Sequence, residues 1–430
     1  MFAHSSPPRP VLVVGAGPAG ATAARALALA GIPVRLLDRA AFPRNKPCGG
    51  GISARVLRRF PYLGRELPRI ASHSVSRLHL EGPDGQSTVV ESDVTAALMI
   101  RRVEFDALLV TLAVEAGAEL VTGADIAQAR ENAACVTLTT RDGRAFEAEV
   151  VIAADGVNSV VARRLGLNPG WAASSVALDM MEETPREQLR DLDPSALWVS
   201  YGYQPPGSGH SPRTAEGYAY IFPKRDHVNI GIGYVLSHFR EAIDQAPYDL
   251  QRAFVERLRH RGLVCGESVR ENFTPALIPI GGPLRRPTRG RVLLAGDAGG
   301  FVNAVTAEGI YYAMVSGELA AHAVQASRGV ATLAAQYGRA CDDEIGAELQ
   351  DSVHIQRFLF ADRRRIARLI DGAHREQKIA QLMLDFAAGS CSYRDLRRRI
   401  LSRSPYLLLS FMWACLTTAA LPSKPGVSRT

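Results

Sequence analysis

A chain of 430 residues, 47% hydrophobic and 22% charged, carries enough apolar material for one large core or two moderate ones, which excludes a mainly disordered protein. Six cysteines, at 48, 135, 265, 341, 391 and 415, form no C-x-x-C pair; this argues against a disulfide framework and a zinc site, so reduced thiols and no metal are expected. The formal net charge of +7 comes with no nucleic-acid-binding motif, and the arginines that gather late, at 363–365 and 397–399, suit an anionic membrane surface better than a nucleic acid.

Residues 1–10 hold three prolines and no apolar run, which fits neither a signal peptide nor a membrane segment and predicts a cytoplasmic location. Residues 11–14 then read as a buried parallel strand, and Gly15, Gly17 and Gly20 follow at the G-x-G-x-x-G spacing of a strand-to-helix turn, with Ala16, Pro18 and Ala19 between them. Gly15 permits the tight turn, Gly17 lets the backbone approach a pyrophosphate, and Gly20 lets the helix pack closely on its strand. The helix begins with free amides aimed at the phosphates. Alanine-rich residues 21–30 propagate it, Gly31 stops it, and 32–37 return as a strand closed by Asp38 and Arg39. A carboxylate at Asp38 accepts hydrogen bonds from a ribose 2′-hydroxyl and repels a 2′-phosphate, which favours FAD or NAD over NADP.

Residues 42–51 are too rich in proline and glycine for helix or strand and lead into a helical pattern over 52–60. Residues 73–91 alternate about Pro83, Asp84 and Gly85 and read as a hairpin. A helix is expected over 99–116, then strands at 119–121, 135–139 and 145–153 with a turn at Asp142 and Gly143. Residues 174–235 supply further strands, a long polar loop at 204–214 and a hairpin over 222–233; a helix over 248–261, a buried strand at 291–295 and a mainly helical remainder follow. Gly231 and Gly233 lack the third glycine of a second dinucleotide turn.

The pattern predicts an α/β plus antiparallel-β protein: a Rossmann-type cofactor domain built from discontinuous segments 1–70, 95–175 and 270–330, with an inserted antiparallel-sheet substrate domain at 71–94 and 176–269 and a helical C-terminal region at 331–430.

Three further motifs carry a family resemblance. Ala153, Ala154, Asp155 and Gly156 resemble the second flavin-domain motif of FAD-dependent proteins of p-hydroxybenzoate-hydroxylase fold. Gly296 and Asp297 resemble their Gly-Asp motif, whose aspartate contacts the ribityl chain, and Arg102 to Asp106 is similar to their Arg-x-x-Phe-Asp segment. Within that fold, Lys46-Pro-Cys48-Gly49-Gly-Gly51 and the stretch from Asn303 through Gly309 and Ile310 to Met314 are similar to the geranylgeranyl reductase family. Its Tyr-x-Trp-x-Phe-Pro segment is met by Tyr218, Tyr220, Phe222 and Pro223, with tyrosine in place of tryptophan. The resemblance implies FAD as cofactor, NADPH or NADH as transient reductant, and an isoprenoid lipid as substrate.

An isolated prenyl double bond accepts hydride poorly, so its reduction needs a dry apolar site and a buried acid or relay. Cys48, in a loop able to approach a flavin, is read either as catalytic or as a small buried filler, and Lys46 is a cation able to lower its pKa. Tyr218, Tyr220 and Phe222 are read as pocket walls or ordinary core, and Glu308 as an organiser of the helix expected after Val305. An FAD monooxygenase acting on a hydrophobic substrate is the alternative activity, and a non-catalytic flavin-binding protein the third. A halogenase is disfavoured, since the tryptophans at 171, 198 and 413 cannot form a Trp-x-Trp segment. Residues 406–421 carry no charge and are too short to span a bilayer, which leaves an interfacial segment at the inner face of the membrane or packing within the protein.

Overall fold

The computed structural model describes residues 9–91, 95, 97–205, 217–327 and 329–375. The long loop expected at 204–214 and the uncharged run at 406–421 fall largely or wholly outside the described residues.

Two sheets dominate. The first has six strands in the order Thr288–Arg289, Val292–Leu294, Val151–Ala153, Val11–Val14, Val34–Leu37 and Glu119–Val121, all parallel except the first. A parallel sheet is covered on both faces, and Val11–Val14 is buried at every residue. Its alternate side chains serve two cores. Val11 and Val13 join the helices Pro18–Leu29, Arg102–Glu115 and Ile310–Ala326, whereas Leu12 and Val14 join a small antiparallel sheet at Ile126–Glu131, Val136–Thr140 and Ala145–Ala148. Gly317 lies where Ile310–Ala326 crosses Pro18–Leu29; a Cβ there would sit 2.1 Å from the Ala19 carbonyl oxygen, so only glycine permits this approach.

The second sheet has seven strands in the order Phe273–Ile278, Ala177–Pro185, His227–Val235, Gly217–Pro223, Ala196–Tyr201, Arg77–Glu81 and Ser87–Glu91. One face buries Trp198, Ile221 and Ile230 against Leu250 and Phe254 of the helix Pro247–His260. The other presents Leu78, Leu80, Leu197, Val199 and Tyr201 to the helices Ala347–Phe360 and Arg363–Arg375. A three-stranded sheet of Gly51–Ser53, Ala97–Ile100 and Ser72–Val75 joins the two bodies.

Several local expectations are corrected. Residues 97–100 are strand and the helix starts at Arg102, because the chain at Arg101 is extended. The hairpin is Arg77–Glu81 with Ser87–Glu91, while Ser72–Val75 pairs elsewhere. Residues 145–153 form two strands, since Ala145–Ala148 pairs antiparallel with Val136–Thr140 and Val151–Ala153 enters the parallel sheet. The strand Ile126–Glu131 was not anticipated, and the helix expected after Val305 begins at Ile310.

Glu182 on Ala177–Pro185 is fully buried, its Oε2 accepting from Ser268 Oγ (2.7 Å) and the Val269 amide (3.2 Å) while Oε1 has no partner among the described residues. Burial pushes its carboxyl up to about 7 from an ordinary 4.5, against those two hydrogen bonds. With the folded pKa above the unfolded one, the folded state binds more protons through that window and stability falls as pH rises from 4.5 to about 7. Glu182→Gln is expected to flatten this fall by an amount on the order of 3 kcal/mol, read as the difference in Tm between variant and wild type on the two sides of the window.

Candidate active site

Between the two large sheets lies one continuous cavity of about 1810 Å³. Pockets for a single small molecule run to roughly 1,000 Å³, so this one has room for a dinucleotide and a second occupant.

The dinucleotide end is built by the first strand, turn and helix. Gly15 has φ +91°, and a Cβ on it would meet the Ala154 carbonyl oxygen at 2.3 Å. On Gly20 it would lie 1.8 Å from the Gly15 carbonyl oxygen, so this glycine sets the approach of helix to turn. On Gly17 the nearest atom is Arg44 Nη2 at 3.8 Å, and Gly17 lines the cavity: the space its missing side chain leaves belongs to a ligand. Asp38 is oriented by two backbone donors, Ala16 N–H to Oδ2 (2.8 Å) and Ala40 N–H to Oδ1 (2.9 Å), and it lines the cavity beside Arg39 and Arg44. Arg44 lies over the Phe42 ring and 3.2 Å from Asp106 Oδ2. Asp155 accepts from Ser159 Oγ (2.5 Å) and the Val160 amide (2.8 Å), which fixes the start of the helix Val160–Arg164, and Gly156 turns the chain at φ +83°. An open glycine cradle at a helix N-terminus and an oriented carboxylate at the end of the next strand fit FAD.

In the middle of the cavity stand Cys48, Gly49, Arg102, Gly296, Asp297, Gly309 and Ile310. Cys48 Sγ accepts the Gly50 amide at 3.4 Å, and its carbonyl accepts from Asn229 Nδ2 at 3.2 Å. Arg102 is the cation hydrogen-bonded to the thiol, with Lys224 also near it, and Arg102 grips Asp106 through Nε (2.7 Å) and Nη2 (2.8 Å). Despite burial, Asp106 and the neighbouring thiol hold this guanidinium protonated. Lys46 instead faces Asp179 and Asp297. Burial pushes the Asp297 carboxyl up, opposed by Lys46 and Arg102. Glu308 receives Ser53 Oγ (2.7 Å) and Arg55 Nη2 (2.5 Å), which anchors the loop before the helix Ile310–Ala326. In that loop Ala307 is the one non-glycine residue among the described residues with positive φ, 55°, a strained conformation held at the cavity wall.

The far wall is the strand Gly217–Pro223. Tyr218, Tyr220 and Phe222 share one face, with ring centroids 5.9 Å apart for the first pair and 4.5 Å for the second. Beyond them the cavity continues as an apolar arm, floored by Leu78, Leu80, Leu197 and Val199 and roofed by Leu359, Phe360, Ile366 and Leu369.

Most residues singled out by sequence line this cavity; Ala16, Gly20 and Pro223 do not. Ala16 is buried and donates to Asp38, Gly20 lies against Gly15, and strand alternation turns Pro223 away from Phe222. Sequence reasoning missed Arg44, Asp179 and the roof. Only a pair of glycines opposite a pair of tyrosines in the hairpin hinted at Asp179.

The glycine geometry separates two outcomes. Gly17→Val is expected to fold, with an unchanged circular dichroism spectrum, and to bind no flavin, because its side chain enters ligand space. Gly20→Val is expected to lose several kcal/mol of stability through overpacking, read by thermal melting. Normal flavin binding by Gly17→Val would remove the pyrophosphate from this turn.

Residues 9–317 match the FAD binding domain family. The chain is 29% identical over 360 residues to digeranylgeranylglycerophospholipid reductase 2 of Methanothermobacter thermautotrophicus, covering 81% of this chain and 87% of that one. It is 32% identical over 344 residues to menaquinone reductase of Mycobacterium tuberculosis, covering 76% and 80%. A geranylgeranyl bacteriochlorophyll reductase-like protein of Thermoplasma acidophilum has the same fold, with TM-score 0.70 at 21% identity over 84% of this chain and 90% of that one. With its glycine cradle, its Asp38 and these relatives, the chain belongs to the FAD binding domain family and, within it, to the geranylgeranyl reductase family of flavoprotein oxidoreductases.

Proposed function

We propose that this protein saturates carbon–carbon double bonds of a polyprenyl lipid, using FAD recharged by transiently bound NADPH or NADH. The observation that carries this reading is the apolar arm, which leads off the flavin end between a sheet face and two helices and suits an extended hydrocarbon chain. The relatives' named activities point the same way. When bound, reduced FAD supplies hydride.

The chain's own residues supply the rest. Gly15 to Gly20 and Asp38 would hold the dinucleotide, and Gly296, Asp297, Gly309 and Ile310 would border its ring system. Arg102, fixed by Asp106, keeps a positive charge beside Cys48. Aromatic and aliphatic walls exclude water, which strengthens each polar interaction left inside. We assign Cys48 a catalytic role, and Tyr218, Tyr220 and Phe222 the substrate wall. A lipid substrate also favours a membrane surface, with residues 406–421 as the contact and the arginines at 397–399 and 403 before it, because basic side chains and apolar area act together there.

Anaerobic incubation of a polyprenyl lipid with enzyme and NADPH or NADH is expected to add two hydrogens per bond, read by mass; a product formed only in air and carrying an oxygen atom would make the protein a monooxygenase. Cys48→Ala is expected to lower product formation by about 10²-fold while flavin content and nicotinamide-driven flavin reduction hold; unchanged product would reassign Cys48 to packing. A chain ending at Ser404 is expected to sediment less with anionic liposomes than the full chain, and equal binding would remove that contact.

A further inference from the structure

Three strands meet in register at one point of the cavity wall. Tyr218 on Gly217–Pro223 is paired with Gly233 on His227–Val235, and Gly233 with Asp179 on Ala177–Pro185. A Cβ on Gly233 would lie 2.1 Å from Tyr218 Cε1, and one on Gly231 would lie 2.4 Å from Tyr220 Oη. The absence of both side chains lets the two tyrosine rings lie flat across the middle strand and reach the third. Tyr218 Oη donates to Asp179 Oδ1 at 3.0 Å, and Tyr220 Oη to Asp179 Oδ2 at 3.2 Å. Asp179 is 3% exposed, and all three residues line the cavity on the side of Cys48.

A lone buried carboxyl served by two tyrosine hydroxyls has no structural need to face a ligand cavity, since a hydrophobic residue would fill the place at no cost in desolvation. We propose that Asp179 stores the proton that completes double-bond reduction and passes it to the substrate through the hydroxyl of Tyr218, with Tyr220 holding the carboxyl in place. This rests on the reductase reading above. In the step, hydride from reduced flavin forms a C–H bond at one alkene carbon and the π bond breaks. Its electron pair takes the Tyr218 hydroxyl proton at the other carbon. For this the Tyr218 hydroxyl hydrogen turns from Asp179 to the substrate; as it leaves, the phenolic oxygen accepts the proton that Asp179 carries on Oδ1 across the same 3.0 Å separation, and solvent reprotonates the carboxylate. Two electrons come from the flavin and one proton from water, so the balance closes.

The groups facing Asp179 are Tyr218 and Tyr220 from one strand and Lys46 from the loop after Val34–Leu37; its strand partners Gly233 and Ala276 bring no charge. Burial pushes the carboxyl up to about 6, against the two tyrosine hydrogen bonds and Lys46. Burial and then Asp179 push both phenols well above 10, so each remains a donor. The proton-loaded form is lost as pH rises through about 6, and the alkene step is expected to slow in the same direction.

The test compares wild type, Asp179→Asn and Tyr218→Phe as FAD-loaded proteins of equal flavin content. In oxidised enzyme without substrate, the infrared difference between wild type and Asp179→Asn, which cancels the Glu182 carboxyl common to both, is expected to show a protonated-carboxyl band that disappears near pH 6. In anaerobic turnover, both variants are expected to lose about 10²-fold or more in reoxidation of reduced flavin by polyprenyl lipid, with flavin reduction by nicotinamide unchanged. The pH dependence of that reoxidation is expected to vanish in Asp179→Asn. An alkene step in Asp179→Asn as fast as in wild type would overturn the proposal, as would a difference spectrum without the band. A wild type that takes up oxygen or leaves the lipid unsaturated would instead overturn the reductase reading, and the band would still report on Asp179.

Discussion

The loop from Lys46 to Gly51 is wedged between the two large sheets, and the joint it makes is the constraint on which the site depends. A Cβ on Gly49 would lie 2.6 Å from the Phe222 ring, and one on Gly50 would lie 2.1 Å from the Ile100 carbonyl oxygen and 2.9 Å from Lys224 Nζ. Lys224, 1% exposed, is paired with Glu183, which also receives Arg101 Nε at 2.8 Å. Burial alone would raise the Glu183 carboxyl, but Lys224 and Arg101 hold it below its ordinary value and therefore ionised. Removing one member of such a cluster leaves an uncompensated buried charge, typically at a cost of about 3–5 kcal/mol. The cluster ties the joining strand region, the tip of the hairpin and the cysteine loop into one geometry.

From that joint the two ends of the cavity acquire their chemistry. On one side the helices Pro18–Leu29 and Ile310–Ala326 cross at Ala19 and Gly317, which brings both N-terminal ends to the cavity wall, where their positive ends favour an anionic ligand. On the other side the glycines of the hairpin seat two tyrosines against Asp179, and the C-terminal helices close the arm, with Phe360 edge-on to Tyr201 at 5.9 Å. Charged and polar side chains gather at the dinucleotide end, whereas the wall of the arm is mainly aliphatic and aromatic, with Gln356, Arg365 and Arg368 among its lining. Under the proposed function, such a site would bind hydrocarbon and present a proton to it.

The glycine-rich turn was legible because its information is local: strand, three glycines, helix and acid lie within residues 11–38 and need no distant partner to be recognised. The hairpin around 224–226 was legible for the same reason. Residues 145–153 were not, since their two halves are assigned to different sheets by partners far away in sequence. Asp179 lay hidden because its environment is made by strands some forty and fifty residues later, and its own strand reads as ordinary alternation. The roof escaped notice because Arg363–Arg375 looks like a solvated basic helix until Ile366 and Ile370 are seen against Leu78 and Leu80.

The central claim is that the flavin end and the apolar arm form one reaction chamber. It is tested most directly by reducing the FAD-loaded protein anaerobically, mixing it with a polyprenyl lipid in a stopped-flow instrument and following the flavin absorbance. The account predicts reoxidation that depends on the lipid and saturates with its concentration, without oxygen. A flavin that stays reduced at every lipid concentration, and is reoxidised only when air is admitted, would contradict it.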